Sequence, residues 1–307
     1  MGEACLMSEL RIPPEIVAMN LAANGEAGRE WLASLPRLVT ELSERWSLTV
    51  GAPYTGGHVA LTLRARRADG TLAVLKLTYV DVETRYEGDA LRVWGGEGAV
   101  QLLAEDGALG ALVLERLEPG VPLLEHPDRD EAISVACALL RRLWRPVGAG
   151  HPFKPVVELA EELAHELPRR YQARGQPFER RLLDRAVALC AWLAEPAGEP
   201  VLANRDFHLG NVLSATREPW LAIDPKPLAG EPAFDTGHLA RDLLPDELER
   251  PGVHRLLDRL ADELELDVAR IRAWAFVRSI DNALWELETG GTDLEWDLQC
   301  ARLLAER

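Results

Sequence analysis

The spacing of apolar positions divides the chain into two textures. An amphipathic helix is expected around Trp31, Leu32, Leu35, Leu38 and Leu42, with Pro36 starting a second helix. From Leu48 the pattern turns strand-like. Val59, Leu61, Leu63 and Ala65 alternate with His58, Thr62, Arg64 and Arg66, and Asp69-Gly70 reverses the chain into the run 71–78. A polar helix is expected over 81–94, stopped by Gly95-Gly96. The runs 99–104 and 108–117, separated by Asp106-Gly107, read as a second hairpin. The sum is about five strands with one helix inserted after the third.

Beyond Pro119 the apolar period is helical over 129–144, 155–171, 178–192, 253–264, 268–288 and 294–304. One island interrupts it. Residues 201–224 carry short apolar pieces around a polar loop, which reads as two small strands flanking a site. Glu118-Pro119-Gly120 is the natural boundary, giving an N-terminal lobe over 1–117 and a mainly helical lobe over 118–307. The fold class expected is α+β, and there is no internal repeat or low-complexity tract.

Composition narrows the classes of function. With 307 residues, 47% apolar and 27% charged, the chain is globular rather than disordered or fibrous. Its 34 basic and 50 acidic residues give a net charge of −16, which disfavours nucleic acid and anionic membrane as partners and suits a cationic small molecule. No apolar run is long enough to span a bilayer, and charges break any signal-peptide core at the N-terminus, so a cytoplasmic location is expected. Cys5, Cys137, Cys190 and Cys300 lie too far apart for a metal motif and are expected as reduced thiols.

The chemistry concentrates in Asn204-Arg205-Asp206-Phe207-His208-Leu209-Gly210-Asn211 and in Leu221-Ala222-Ile223-Asp224. Two carboxylates and an amide on a loop and a strand end suit phosphoryl transfer. One carboxylate, Asp206, orients the attacking hydroxyl and accepts its proton, while Asn211 and Asp224 supply oxygens to magnesium. The same residue types also crowd ordinary hairpin loops. Three features favour the chemical reading: Lys76 inside an apolar strand, Glu87 on the next helix, and the strand end Leu114-Glu115-Arg116-Leu117 at the boundary. A lysine in a strand otherwise serves as an edge gatekeeper.

With these stretches in view, the chain resembles the aminoglycoside phosphotransferase family of the protein-kinase-like fold, in its streptomycin 6-kinase and hydroxyurea-kinase branch. The resemblance is carried by Ala73-Val-Leu-Lys76, Glu87 with Ala90-Leu91, Trp94-Gly-Gly-Glu-Gly-Ala-Val100, Leu112-Val-Leu-Glu-Arg-Leu117, Asp206 to Asn211 and Trp220-Leu-Ala-Ile-Asp-Pro-Lys-Pro227. It implies a two-lobed fold, ATP and magnesium as cofactors, and transfer to a hydroxyl of an aminoglycoside such as streptomycin. It assigns Lys76 to the ATP phosphates, Glu87 to its ion pair, and Glu115 to Leu117 to the hinge that meets adenine. Asp206 becomes the base, Asn211 and Asp224 the metal ligands, Asp235 a brace of the catalytic loop, and Gly51 to Gly57 a phosphate-covering loop. His208 is implied to be a structural hydrogen-bonder.

One departure stands out. The family places His-Gly before the catalytic aspartate, and this chain has Asn204-Arg205. A polycationic acceptor would need carboxylates, for which Asp281 and Glu286 are the first candidates among the acids 281–297; Trp274, Trp285 and Trp296 offer flat surfaces. The ordinary alternative is acids on outward helix faces and tryptophans in the core. Rival functions are a kinase for another small hydroxylated metabolite, a nucleotide-binding pseudokinase, and a metal-dependent hydrolase using Asp206, His208 and Asp224.

Overall fold

The computed structural model describes residues 10–57, 59–244 and 249–305; Cys5 and His58 lie outside them. The chain divides into two compact units, Met1–Gly96 with Val100–Glu118, and Glu97–Ala99 with Pro119–Arg307.

The first unit is an antiparallel sheet against a long helix. Strands β1 (Leu48–Pro53), β2 (Leu61–Arg67), β3 (Leu72–Leu77), β4 (Leu102–Asp106) and β5 (Ala111–Glu115) run in the order β1-β2-β3-β5-β4. Alternation sets which face is buried: Leu61, Leu63 and Ala65 on β2 are buried, as are Ala73, Leu75 and Leu77 on β3. Helix α1 (Pro14–Arg45) covers that face with Leu32, Leu35, Leu38, Val39 and Leu42. Two helices were expected to meet at Pro36. The break is instead at Gly25, whose φ of 54° costs glycine little, and the helix runs on through Pro36. A mid-helix proline costs about 3 kcal/mol, and burying the leucines on both sides of it offsets that cost.

Helix α2 (Glu87–Trp94) starts later than its polar pattern suggests, because Asp81 closes a turn by accepting from the amides of Glu83 and Thr84. It ends at Gly95 in the left-handed conformation, φ 60°.

In the second unit, helices α3 (Arg129–Leu143), α4 (Val156–Ala173), α5 (Arg180–Leu193), α6 (Thr236–Asp242), α7 (Arg250–Leu264), α8 (Val268–Thr289) and α9 (Leu294–Ala305) surround two small sheets. Short strands β6 (Pro119–Pro122), β9 (Val212–Ala215) and β10 (Trp220–Ala222) form one; β7 (Lys154–Pro155), β8 (Val201–Asn204) and β11 (Pro227–Gly230) form the other. The central helix is α8, with Ile271, Trp274, Phe276, Val277, Ile280 and Leu284 all buried. A helix apolar on most of its circumference must be covered on most sides. Among the described residues, no helix is long and apolar enough to cross a membrane. Cys137, Cys190 and Cys300 are free and buried, and burial pushes their thiols up to about 12.

Candidate active site

Strand β3 lies in the interior of its sheet, between β2 and β5, so Lys76 cannot be an edge gatekeeper. Its side chain is buried, and Nζ donates to Oε1 of Glu87 at 2.6 Å. Glu87 opens α2, where a carboxylate also meets the favourable end of the helix dipole. Two buried charges of this kind persist because each neutralises the other.

At the end of β5, Glu115 and Gln101 are locked together: the Glu115 amide donates to the Gln101 carbonyl, and the Gln101 amide to Glu115 Oε1, both at 2.9 Å. The Arg116 amide reaches the Leu72 carbonyl at 3.4 Å. The amide and carbonyl of Leu117, two residues further, have no hydrogen-bond partner among the described residues.

In the second unit the loop carrying Asp206 is pinned by a buried asparagine. The Asn204 amide donates to Oδ1 of Asp235 at 2.8 Å, while its side-chain oxygen accepts from the amides of Asp206 at 3.1 Å and Lys226 at 3.0 Å. A side-chain carbonyl with two lone pairs serves both amides at once. The Arg205 amide closes the lattice on the Lys226 carbonyl at 3.0 Å. Asp235 takes a second bond, from Trp144 Nε1 at 2.8 Å. Its complete burial pushes its carboxyl up to about 8 against the pull of those two donors.

Asp206 has one oxygen on each of two neighbours. Lys226 Nζ stands 3.0 Å from Oδ2, and His238 Nδ1 stands 3.5 Å from Oδ1. Burial acts to raise the Asp206 carboxyl, but Lys226, by charge and hydrogen bond, together with the two neighbouring histidines outweighs that and holds it well below the usual carboxylate range. His238 is also held well below its ordinary imidazole value, first by burial and then by Arg278. His208 is a local brace. Its Nδ1 accepts from the Gly210 amide at 3.1 Å within the turn Leu209–Asn211.

Asn211 donates Nδ2 to the Asp206 carbonyl at 3.1 Å, which fixes its amide orientation and leaves Oδ1 as an acceptor. The Ile223 amide donates to the Asn211 carbonyl at 2.9 Å and Val212 pairs with Ala222, so Asn211 and Asp224 sit at adjoining ends of the β9–β10 pair. Asp224 holds φ at 52°, a conformation aspartate tolerates better than most residues. An amide oxygen and a carboxylate are hard donors of the kind magnesium prefers, so the two residues fit that ion. Among the described residues no group of three or more His, Cys, Asp or Glu side chains is arranged to hold a metal. A two-oxygen site on magnesium leaves positions for phosphate oxygens and water.

The model of the aminoglycoside/hydroxyurea antibiotic resistance kinases matches residues 45–290. The chain belongs to that family. It is 40% identical to streptomycin 6-kinase of Streptomyces glaucescens over 93% of this chain and 94% of that protein. It is 43% identical to hydroxyurea phosphotransferase of Kitasatospora aureofaciens over 97% and 87%. Among solved structures, choline kinase LicA from Streptococcus pneumoniae superposes with a TM-score of 0.60 at 13% identity, over 88% of this chain and 99% of that one. Aminoglycoside phosphotransferase APH(4)-Ia, in ternary complex with AMP-PNP and hygromycin B, gives 0.59 at 16% identity, over 87% and 97%. These likenesses establish the protein-kinase-like fold.

Within the family fold, the departure at Asn204-Arg205 is structurally accommodated. Arg205 sits 3.6 Å from Oδ2 of Asp281, which also meets Arg278 at 3.3 Å; Arg170 takes Oδ1 at 2.6 Å and the Asp281 carbonyl at 3.2 Å. Burial would raise the Asp281 carboxyl, yet Arg278, Arg205 and Arg170 together hold it below its usual value. Asp281 is therefore already engaged by three guanidiniums. Glu286 is buried and accepts the Asp293 amide at 3.0 Å in the turn after α8. Of the tryptophans, Trp274 is buried and donates to Glu231 at 2.7 Å, Trp296 is half-buried, and Trp285 is exposed.

Next to the Asp206 loop lies a small pocket open to solvent, walled by Leu163, Phe234 and Trp274 and by Arg205, Arg278 and Asp281, with His238 also on its lining. Phe234 meets the Trp274 ring edge-on at 4.9 Å. Two of the residues facing Asp206 escaped sequence reasoning as functional groups. Lys226 had a signal, a lone cation between prolines directly after Asp224. His238 had none, because α6 is only seven residues long and its histidine meets Asp206 from 32 positions away.

Proposed function

We propose that this protein is an ATP-dependent kinase that phosphorylates a hydroxyl of an aminoglycoside such as streptomycin. The observation that carries the reading is the buried Lys76–Glu87 pair at 2.6 Å in the middle of a sheet. A hydrolase acting through Asp206 and His208 has no use for it, whereas a kinase holds phosphates with it. Family membership and the streptomycin 6-kinase relatives supply the acceptor.

In this reading Lys76, steadied by Glu87, binds the phosphates of ATP, and the backbone of Glu115 to Leu117 meets the adenine. The unpartnered amide and carbonyl of Leu117 supply one donor and one acceptor for that edge. Asn211 and Asp224 would hold magnesium, which when bound neutralises charge on the phosphates. Asp206 orients the acceptor hydroxyl, and its ionised state keeps it able to accept that hydrogen bond. Asn204 and Asp235 keep the loop in place through the bonds described above. Asp281 acts on the acceptor pocket through its arginines, and Glu286 holds the turn that ends α8.

A second acceptor class is favoured by one feature, the pocket wall. Arg205 and Arg278 line it and Asp281 is neutralised by them, which suits a small neutral hydroxylated molecule better than a polycation. The 43% identity to hydroxyurea phosphotransferase points to the same class. ADP release from the purified full chain, measured with streptomycin, other aminoglycosides, hydroxyurea and simple sugars, decides between them. No acceptor-stimulated release with any of them, in a protein that still binds ATP, would establish the pseudokinase instead.

A further inference from the structure

Among the groups around Asp206, the His238 imidazole carries a buried ring nitrogen without a hydrogen-bond partner. The Nδ1 of His238 is shut off from solvent and unbonded, 3.5 Å from Oδ1 of Asp206. Oδ2 of the same carboxylate is occupied by Lys226. The ring is held from several directions. It lines the pocket beside Asp206 and lies 5.1 Å from the His208 ring at a tilt of 32°. Its helix is pressed onto α8 at Gly237, where an added Cβ would come within 3.1 Å of the Trp274 backbone. The same helix is tied to the catalytic loop by the Leu209 amide, which donates to Asp242 at 2.9 Å.

We propose that His238 is the final acceptor of the proton that leaves the substrate hydroxyl, with Asp206 passing it from the hydroxyl to Nδ1. The proposal rests on the kinase reading. In the step, the acceptor oxygen forms a bond to the γ-phosphorus of ATP and the bond from that phosphorus to the β,γ-bridging oxygen breaks. ADP leaves with the bridging oxygen. The hydroxyl proton moves to Oδ1 of Asp206 and on to Nδ1 of His238, and is released to solvent after the products depart.

A carboxylate paired with Lys226 is a poor place for a proton to stay, so a second base is needed beside it. A bare imidazole nitrogen facing a carboxylate oxygen is an unsatisfied gap, and a proton delivered there turns it into a charge-assisted bond. The neutral ring must then carry its own proton on Nε2. The charges around it come from every side: Asp206, His208, Arg205 and Lys226 from the loop and strand, Arg278 and Asp281 from α8, and Arg241 from its own helix. Burial and Arg278 oppose a charge on the ring, so Nδ1 is vacant before the transfer and gives the proton up to solvent once the products leave.

The test has two arms on the full chain. Nitrogen NMR of the ligand-free protein at about pH 7.5, with the resonance assigned by its loss in His238→Gln, should show an unprotonated Nδ1. A hydrogen on Nδ1 at that pH overturns the proposal, because the ring would already be donating to Asp206. In the kinetic arm, His238→Gln should lower kcat about a hundredfold, leave the KM for ATP within about twofold, and remove the acid limb of the kcat profile. A kcat within about threefold of wild type with that limb intact also overturns it. If wild type phosphorylates no acceptor, the kinase reading fails by itself, and the NMR arm still decides the state of His238. Should His238→Gln misfold, His238→Asn replaces it in both arms.

Discussion

Lys226 Nζ lies 3.0 Å from Oδ2 of Asp206, and the Lys226 backbone is bonded on both sides to the residues that carry that aspartate. The cation is thus built into the loop rather than resting against it. Replacing it by methionine keeps the stem and removes the charge. Lys226→Met should lower kcat by about one to two orders of magnitude with little change in ATP affinity, as read by coupled ADP release and by ATP titration. Asp206→Ala should abolish transfer while ATP binding persists; near wild-type transfer in that variant would remove Asp206 from its role as base.

The buried Lys76–Glu87 pair gives a binding prediction that needs no acceptor. Wild type should gain thermal stability on adding ATP with magnesium, and Lys76→Ala should lose most of that gain. His208→Ala should keep it, since His208 braces the turn that carries Asn211 and is not part of the Lys76–Glu87 pair. The reverse pattern would favour the hydrolase.

Asp281 balances Arg170, Arg205 and Arg278 inside the second unit. Asp281→Asn removes the carboxylate that the three guanidiniums share, Arg170 keeping Glu288, and losing one member of a buried charge set costs about 3 kcal/mol. Urea denaturation should show the loss as a lower midpoint at unchanged slope. A midpoint within experimental scatter of wild type would mean the arginines are balanced elsewhere.

Asp297 on α9 is fully buried against Arg241, and burial pushes its carboxyl from 3.8 up to about 6 despite that partner. A raised folded-state value means the native protein holds the proton more tightly than the unfolded chain. Its contribution to stability is therefore complete below about pH 4 and is lost as pH rises through about 6. Asp297→Asn, which cannot ionise, should flatten that part of the stability profile between pH 4 and 6 in thermal melts. An unaltered slope in the variant would assign the pH dependence to other groups, Asp235 first among them.

The periodicities that wrote themselves most clearly were those imposed by burial. Leu61, Leu63 and Ala65 alternate because one face of β2 is covered by α1, and α8 is apolar on most sides because it is surrounded. Those rules act over a few neighbouring residues, so strands, helices and the placement of Asp206, Asn211 and Asp224 on a loop and strand end could be read without coordinates. The kink at Gly25 was not readable in the same way. Whether a helix breaks at a proline or at a glycine depends on how much apolar surface the neighbouring sheet covers, which local propensity does not contain.

The chain's order of residues alone determined most of the secondary structure, the family and the identity of the charged groups in the loop. Tertiary structure decided which of those groups meet. Lys226 and His238 come to opposite oxygens of Asp206, and Arg205 finds Asp281 76 positions away. Coulomb and hydrogen-bond energies depend on distances of a few ångströms in a poorly solvated interior, and those distances are set by packing between elements remote in sequence.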